Sequence, residues 1–208
     1  MIDAIAQYFA DFTWVKAIDM AGLVLGLIYL WLEFKASIWL WLVSVVMPIV
    51  HGYLYWERGL YADFGMEVYY VLAAIYGYAM WRWARGKDRA GEQAAELPIT
   101  HFPLRRVAPV ALVGLALWGL IYWILITYTD SSVPICDSFT TALSMVALWA
   151  LAQKYAEQWL LWLVVDAVCT VLYIYKQIPF TACLYAFYTV MAVLGYRQWL
   201  KKIPAAKD

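Results

Sequence analysis

The feature that most constrains the fold of this chain is an internal duplication. Residues 19–81 lie on residues 137–199 at a constant offset of 118, without a gap. In that register Asp19 meets Asp137, Leu25 meets Leu143, Trp31 meets Trp149 and Trp41 meets Trp159. Tyr70 meets Tyr188, Ala74 meets Ala192, Gly77 meets Gly195 and Trp81 meets Trp199. There are 15 identities in the 63 positions, where so Trp-, Leu- and Tyr-rich a composition gives roughly five by coincidence. The period is too long for a solenoid unit. In an apolar chain a duplicated half is the signature of a transporter fold.

Composition says what kind of chain is duplicated. Of the 208 residues 66% are hydrophobic and only 14% charged, too apolar for an ordinary soluble domain. Apolar runs near 17–32, 37–56, 62–83, 104–128, 138–152, 157–175 and 178–200 are mostly long enough to cross a hydrocarbon core of roughly 30 Å as helices. The expectation is an all-α membrane protein with seven transmembrane helices in a single membrane domain, 1–208, the fifth span being short. The start at Met1, Ile2 and Asp3 carries no basic region, so a cleaved signal peptide is not expected.

Each repeat holds three spans, and one further span must restore the starting side of the membrane. The plan is 3+1+3 with both triple-helix units parallel, as in the SWEET carriers. The first repeat covers 17–83, a polar cytoplasmic linker 84–103, the connecting helix 104–128 and the second repeat 137–200. Lys and Arg set the orientation. Lys35, the stretch from Arg82 to Arg106, Lys154 and the C-terminal Arg197, Lys201, Lys202 and Lys207 hold 12 of the 15 basic residues. They share one side, so the C-terminus is expected inside and the N-terminus outside. Trp81, Trp83 and Trp199 near the inner ends, with Trp14, Trp39 and Trp56, read as interfacial anchors.

Motifs exclude more than they assign. Gly-x-Ser-x-Gly, His-Glu-x-x-His and glycine-rich phosphate loops are absent, so no enzyme, catalytic residue, metal or cofactor is expected. Cys136, Cys169 and Cys183 have no ligand or redox spacing and read as packing residues. No basic cluster interleaved with aromatics suggests nucleic acid.

Charge inside a span is the remaining signal, because an Asp at a helix centre costs about 2.5–3.5 kcal/mol on insertion scales. Asp166 sits mid-span in Trp162-Leu-Val-Val-Asp166, one turn after Trp162 on the same face. Glu67 lies in the third span, followed on its face by Tyr70 and Ala74. His51 lies beside Pro48 and Gly52; it is either a proton-coupling group or a hydrogen-bonded interior histidine. In the duplication Glu67 falls on Tyr185 and Asp166 on Pro48. A repeated frame with unrepeated acids suits an asymmetric ligand on a pseudo-symmetry axis. The candidate substrate-binding set is therefore Glu67, Asp166, Tyr70, Trp162, Tyr185, Tyr188 and His51, two acids and aromatic faces for a cationic aromatic molecule. A carboxyl bridge that merely locks helices is the alternative. Asp19 and Asp137, at the outer starts of equivalent spans, read as helix N-caps or as an outer gate.

Longer strings carry a resemblance. Asp137-Ser138, Leu143-Ser144, Val146-Ala147, Lys154-Tyr155 and Glu157-x-Trp159-Leu160-Leu161-Trp162, with Leu60-Tyr61-Ala62 and Ile75-Tyr76-Gly77 earlier, make the chain resemble the PnuC-type vitamin transporters over nearly its whole length. The resemblance implies the 3+1+3 fold and uptake of a B vitamin or precursor by facilitated diffusion across the bacterial inner membrane. It also implies trapping by phosphorylation, with a cytoplasmic vitamin kinase as functional partner; a homo-oligomer is compatible with it. Glu67, Asp166 and Ala74 stand where nicotinamide riboside carriers of the family have amides. Those exchanges favour thiamine, as in the PnuT branch. Nicotinamide riboside is the alternative, and a non-transporting membrane scaffold or receptor the alternative of another class.

Overall fold

Seven helices and one isolated bridge make up the regular structure of the described residues. The computed structural model describes residues 14–57, 61–84, 97–177 and 179–203, with side chains assigned except at 14–23, 54, 55, 61–63, 179 and 180. The helices are α1 (Trp14–Lys35), α2 (Trp39–Glu57), α3 (Tyr61–Trp83), α4 (Leu104–Tyr128), α5 (Pro134–Ala152), α6 (Gln158–Tyr175) and α7 (Pro179–Lys202). Their lengths run from 18 to 25 residues, about 27 to 38 Å at helical rise. Among the described residues α4, α5 and α6 are both long and apolar enough to cross a membrane, and Trp39–Tyr53 of α2 forms a shorter apolar stretch. The fifth helix begins earlier than hydropathy suggests, because Pro134 stands in its first turn, where a missing N–H does no harm.

The chain forms two compact units, Met1–Ile75 and Tyr76–Asp208. In the first, α1 packs on α2, and α3 closes on α2 where Gly52 faces Glu67 and Phe64; a Cβ on Gly52 would lie 3.6 Å from Cβ of Glu67. In the second, α6 packs on α7 and α5, and α5 on α4.

The duplication is visible in the backbone. Laid back by the offset of 118, α5, α6 and α7 take the bounds of α1, α2 and α3 to within two residues. Even the turn after the first helix of each repeat recurs. Ala36 N donates to Glu33 O at 2.8 Å and Ser37 N to Leu32 O at 2.9 Å; Lys154 N donates to Leu151 O at 2.9 Å and Tyr155 N to Ala150 O at 3.0 Å. This is a Schellman ending. Its left-handed residue is Ala36 at φ 57° in one copy and Lys154 at φ 54° in the other. Neither is glycine, so both carry Cβ strain of roughly 1 kcal/mol. Ala36→Gly is expected to raise the thermal midpoint of the detergent-solubilised protein; an unchanged or lower midpoint would count against this turn. Lys154→Gly has no such benefit, because Lys154 Nζ lies 4.3 Å from the centroid of the Trp81 ring.

What repeats in sequence is also what is buried. Trp41 and Trp159, Ala74 and Ala192, and Trp81 and Trp199 are all buried pairs of the alignment. Two of these correct the sequence reading. Trp81 is 2% exposed and Trp199 0%, so they are core residues rather than interfacial anchors. Trp81 Nε1 donates to Leu151 O at 3.2 Å, and Trp199 stands between the Trp81 and Trp159 rings, at 6.5 and 6.0 Å. Trp39, Trp56 and Trp83 are exposed, as anchors should be, and the Trp14 side chain lies outside the described residues. Of the cysteines, Cys169 is buried and Cys183 exposed, so packing explains the first and not the second.

The end of the linker is a strap. Thr100 N donates to Lys154 O at 3.1 Å and Ala156 N to Thr100 O at 3.0 Å, a two-bond bridge to the α5–α6 turn. Glu157 accepts from Phe102 N at 2.7 Å, and His101 Nδ1 lies 2.7 Å from its other oxygen. Arg106 donates to the Tyr155 hydroxyl at 2.9 Å. The first turn of α6 is thereby held in place.

Candidate functional site

In the first unit the interior histidine and the interior acid meet. Pro48 lies inside α2 and deprives that helix of one backbone bond, just before His51. His51 Nδ1 lies 3.7 Å from Oε1 of Glu67 on α3, an ion pair whenever the ring is protonated. His51 and Ser44 border a cleft of about 350 Å³ between α1 and α2. Glu67, Gly52 and Phe64 border one of about 290 Å³ between α2 and α3. Tyr70 follows Glu67 by one turn and meets Tyr69 edge to face at 5.7 Å.

In the second unit the candidates divide between α6 and α7, which pack together. Trp162 and Asp166 stand on α6; Tyr185 and Tyr188 stand on α7. Tyr185 stacks on Tyr173 of α6, centroids 5.2 Å apart and planes 7° apart, and meets Tyr188 edge to face at 6.0 Å. Asp166 is 7% exposed. Its backbone carbonyl accepts from Thr170 Oγ1 at 2.7 Å, but no described residue bonds or pairs with its carboxylate. The helix-locking bridge considered from sequence is therefore not made by Asp166 among the described residues.

The α6 face extends further than the sequence suggests. Gln158 is 0% exposed, and among the described residues both polar atoms of its side chain lack a hydrogen-bond partner, as do the indole nitrogens of Trp159 and Trp162. Gln158, Trp162 and Asp166 are spaced by four, so they line one face of α6. Buried polar groups are almost always bonded, which makes this run of open donors and acceptors unusual. Gln158 is not among the residues marked from sequence. The duplication held the signal, since Gln158 falls on Leu40, likewise fully buried. It is a third polar group that the other half lacks.

Asp137 has a different role from the cap expected. The cap position of α5 is Val133, and Asp137 is the helix's fourth residue. Its carboxylate accepts from Ser131 Oγ at 2.8 Å and from Lys176 Nζ at 3.3 Å, tying the start of α5 to the end of α6. The Asp19 side chain lies outside the described residues.

The family model described as nicotinamide mononucleotide transporter matches residues 16–201 of this chain. The chain belongs to that family. Within it, the riboflavin/roseoflavin transporter RibM of Streptomyces davaonensis is 29% identical over 183 residues, covering 87% of this chain and 83% of RibM. The nicotinamide riboside transporter PnuC of Escherichia coli is 23% identical, covering 91% and 86%. A crystal structure of the vitamin B3 transporter PnuC matches with a TM-score of 0.69 at 23% identity, over 97% of this chain and 87% of that one. That likeness extends to the fold. As a transporter-family member with three described helices, α4, α5 and α6, long and apolar enough to span a bilayer, the chain is a multi-pass protein of the bacterial inner membrane.

Proposed function

We propose that this family member is a facilitated-diffusion carrier for nicotinamide riboside, arranged as 3+1+3 helices with its N-terminus outside and C-terminus inside, its substrate retained by phosphorylation. The observation that carries the reading is Asp166: a carboxylate buried in α6 without a partner among the described residues, on a face with Gln158 and Trp162, whose polar atoms are open in the same sense. An anion so placed is costly unless something pairs with it. A ring cation does so, and aromatic faces add about 2 kcal/mol or more to a desolvated cation. The residues proposed for the substrate are Gln158, Trp162, Asp166, Tyr185 and Tyr188 of the second unit, and His51, Glu67 and Tyr70 form a separate candidate set within the first. An amide such as Gln158 supplies both a donor and an acceptor to a carboxamide. Thiamine, favoured from sequence, gives way because the relatives described above are named for nicotinamide riboside and riboflavin, and nicotinamide riboside also carries a ring cation. Riboflavin is the second reading, on the strength of RibM, the most similar of the relatives described, although a neutral ring gives the acids no partner.

Binding of all three vitamins to the purified protein by calorimetry, with counterflow in liposomes lacking any ion gradient, tests this. Nicotinamide riboside is expected to bind most tightly and to exchange without a gradient. Gln158→Leu is expected to weaken it by about fivefold to tenfold, one buried hydrogen-bonding group, while leaving the protein folded. Preference for riboflavin with indifference to the acids would establish the second reading instead.

A further inference from the structure

We infer that the α4–α5–α6 face of the second unit is a binding site for one anionic phospholipid. The face carries an open groove of about 610 Å³, lined among others by Val107, Ala111 and Gly114 of α4, Val146 of α5 and Leu160 of α6. It is not part of the substrate assignment above, and the two stand or fall separately. Four observations define the occupant.

The first is the medium. None of the α4 residues is buried, and the groove walls are almost wholly apolar, so what reaches them in a membrane is hydrocarbon. The second is length. The lining runs along α4 from Leu104 to Trp118, about 20 Å of helix, which exceeds one leaflet of the hydrocarbon core, roughly 15 Å. One acyl chain fits that run.

The third is closure. Beyond Gly114 the groove ends at Trp118, whose indole nitrogen donates to Ser138 Oγ at 3.1 Å and whose ring meets Phe139 edge to face at 5.3 Å. The groove thus ends deep in the helix layer, as an acyl tail does. The fourth is charge at the other end. The end of the lining at Phe102 and Leu104 adjoins Arg105 and Arg106, both exposed in the first turn of α4. Arg106 is fixed by its bond to Tyr155 at 2.9 Å. Glu157, the acid at this end, has both oxygens engaged, by Phe102 N and beside His101 Nδ1. Basic groups beside a gap between membrane helices are suited to an anionic headgroup. A tail groove ending in two arginines fits a phosphatidylglycerol-type lipid better than a zwitterionic one.

Native mass spectrometry of the full-length protein, titrated with phosphatidylglycerol or phosphatidylcholine of matched chains, reads this directly. Phosphatidylglycerol is expected to be retained as a single adduct in preference to phosphatidylcholine. Arg105→Gln, which breaks no contact described above, is expected to lower its affinity about fivefold, and the double variant R105Q/R106Q about thirtyfold. Ala111→Phe, which fills the groove, is expected to remove the adduct while leaving vitamin binding in place. Equal retention of both lipids, retention indifferent to the arginines, or a doubled protein mass with no lipid adduct would each overturn the assignment, the last in favour of a second copy on this face.

Discussion

Replacing Gly195 by leucine is expected to leave little folded protein. A Cβ built on Gly195 lies 2.6 Å from two atoms of the Trp159 indole and 2.7 Å from a third, closer than carbon atoms approach. The ring cannot yield, because Trp159 is itself fully buried and packed edge to face on Trp199 at 6.0 Å. Small residues let membrane helices approach in this way, and here one sets the spacing of α6 and α7. Overpacking a closed interior costs about 1–3 kcal/mol and occasionally more, and leucine adds a whole side chain to a site that rejects one carbon. Gly195→Ala should already lower the thermal midpoint in detergent. Combining it with Trp159→Leu should recover part of the loss, because the three nearest atoms all belong to the Trp159 ring. A Gly195→Leu protein that runs as a sharp monodisperse peak with an unchanged midpoint would refute this packing.

Asp166→Leu is expected to move stability and function in opposite directions. The carboxylate is buried without a described partner, so removing it relieves an insertion cost of about 2.5–3.5 kcal/mol, and the detergent-solubilised protein without substrate should melt higher. Nicotinamide riboside binding should fall by about thirtyfold or more, the consequence of deleting one side of a desolvated charge pair. Asp166→Asn should do the same more mildly, keeping shape and losing charge. A structural acid behaves differently: its loss lowers the melting temperature and leaves affinity intact. Measuring both quantities on the same preparations separates the two.

Much of this was readable from residue order, for physical reasons that also mark where reading stopped. The helices follow from hydrophobic runs, and the offset of 118 passes from sequence to backbone because a turn geometry survives side-chain exchange: Ala36 and Lys154 differ, yet both are left-handed. Trp81 and Trp199 were misread because composition near a helix end looks alike for an interfacial anchor and a buried ring; only tertiary contacts tell them apart. The His51–Glu67 approach depends on how two helices meet at Gly52, which periodicity within one helix cannot show. Gln158 went unmarked because it stands at the start of the run 157–175, where a neutral polar residue is not conspicuous and only tertiary packing shows that it is buried. The acids Glu67 and Asp166, by contrast, stood out because a charge within an apolar run is conspicuous without any structure.

The pairing of Leu40 with Gln158 has a consequence for how such a carrier changes its cargo over time. Duplication gives every position of the fold two addresses, and the tryptophans, alanines and glycines that hold the helices together occupy both. A polar group at only one address leaves its twin free to remain hydrocarbon, so the penalty of polarity within the bilayer is incurred once. If the site proposed above is right, divergence in substrate proceeds through singly occupied positions such as 67, 158 and 166, while the shared framework stays untouched.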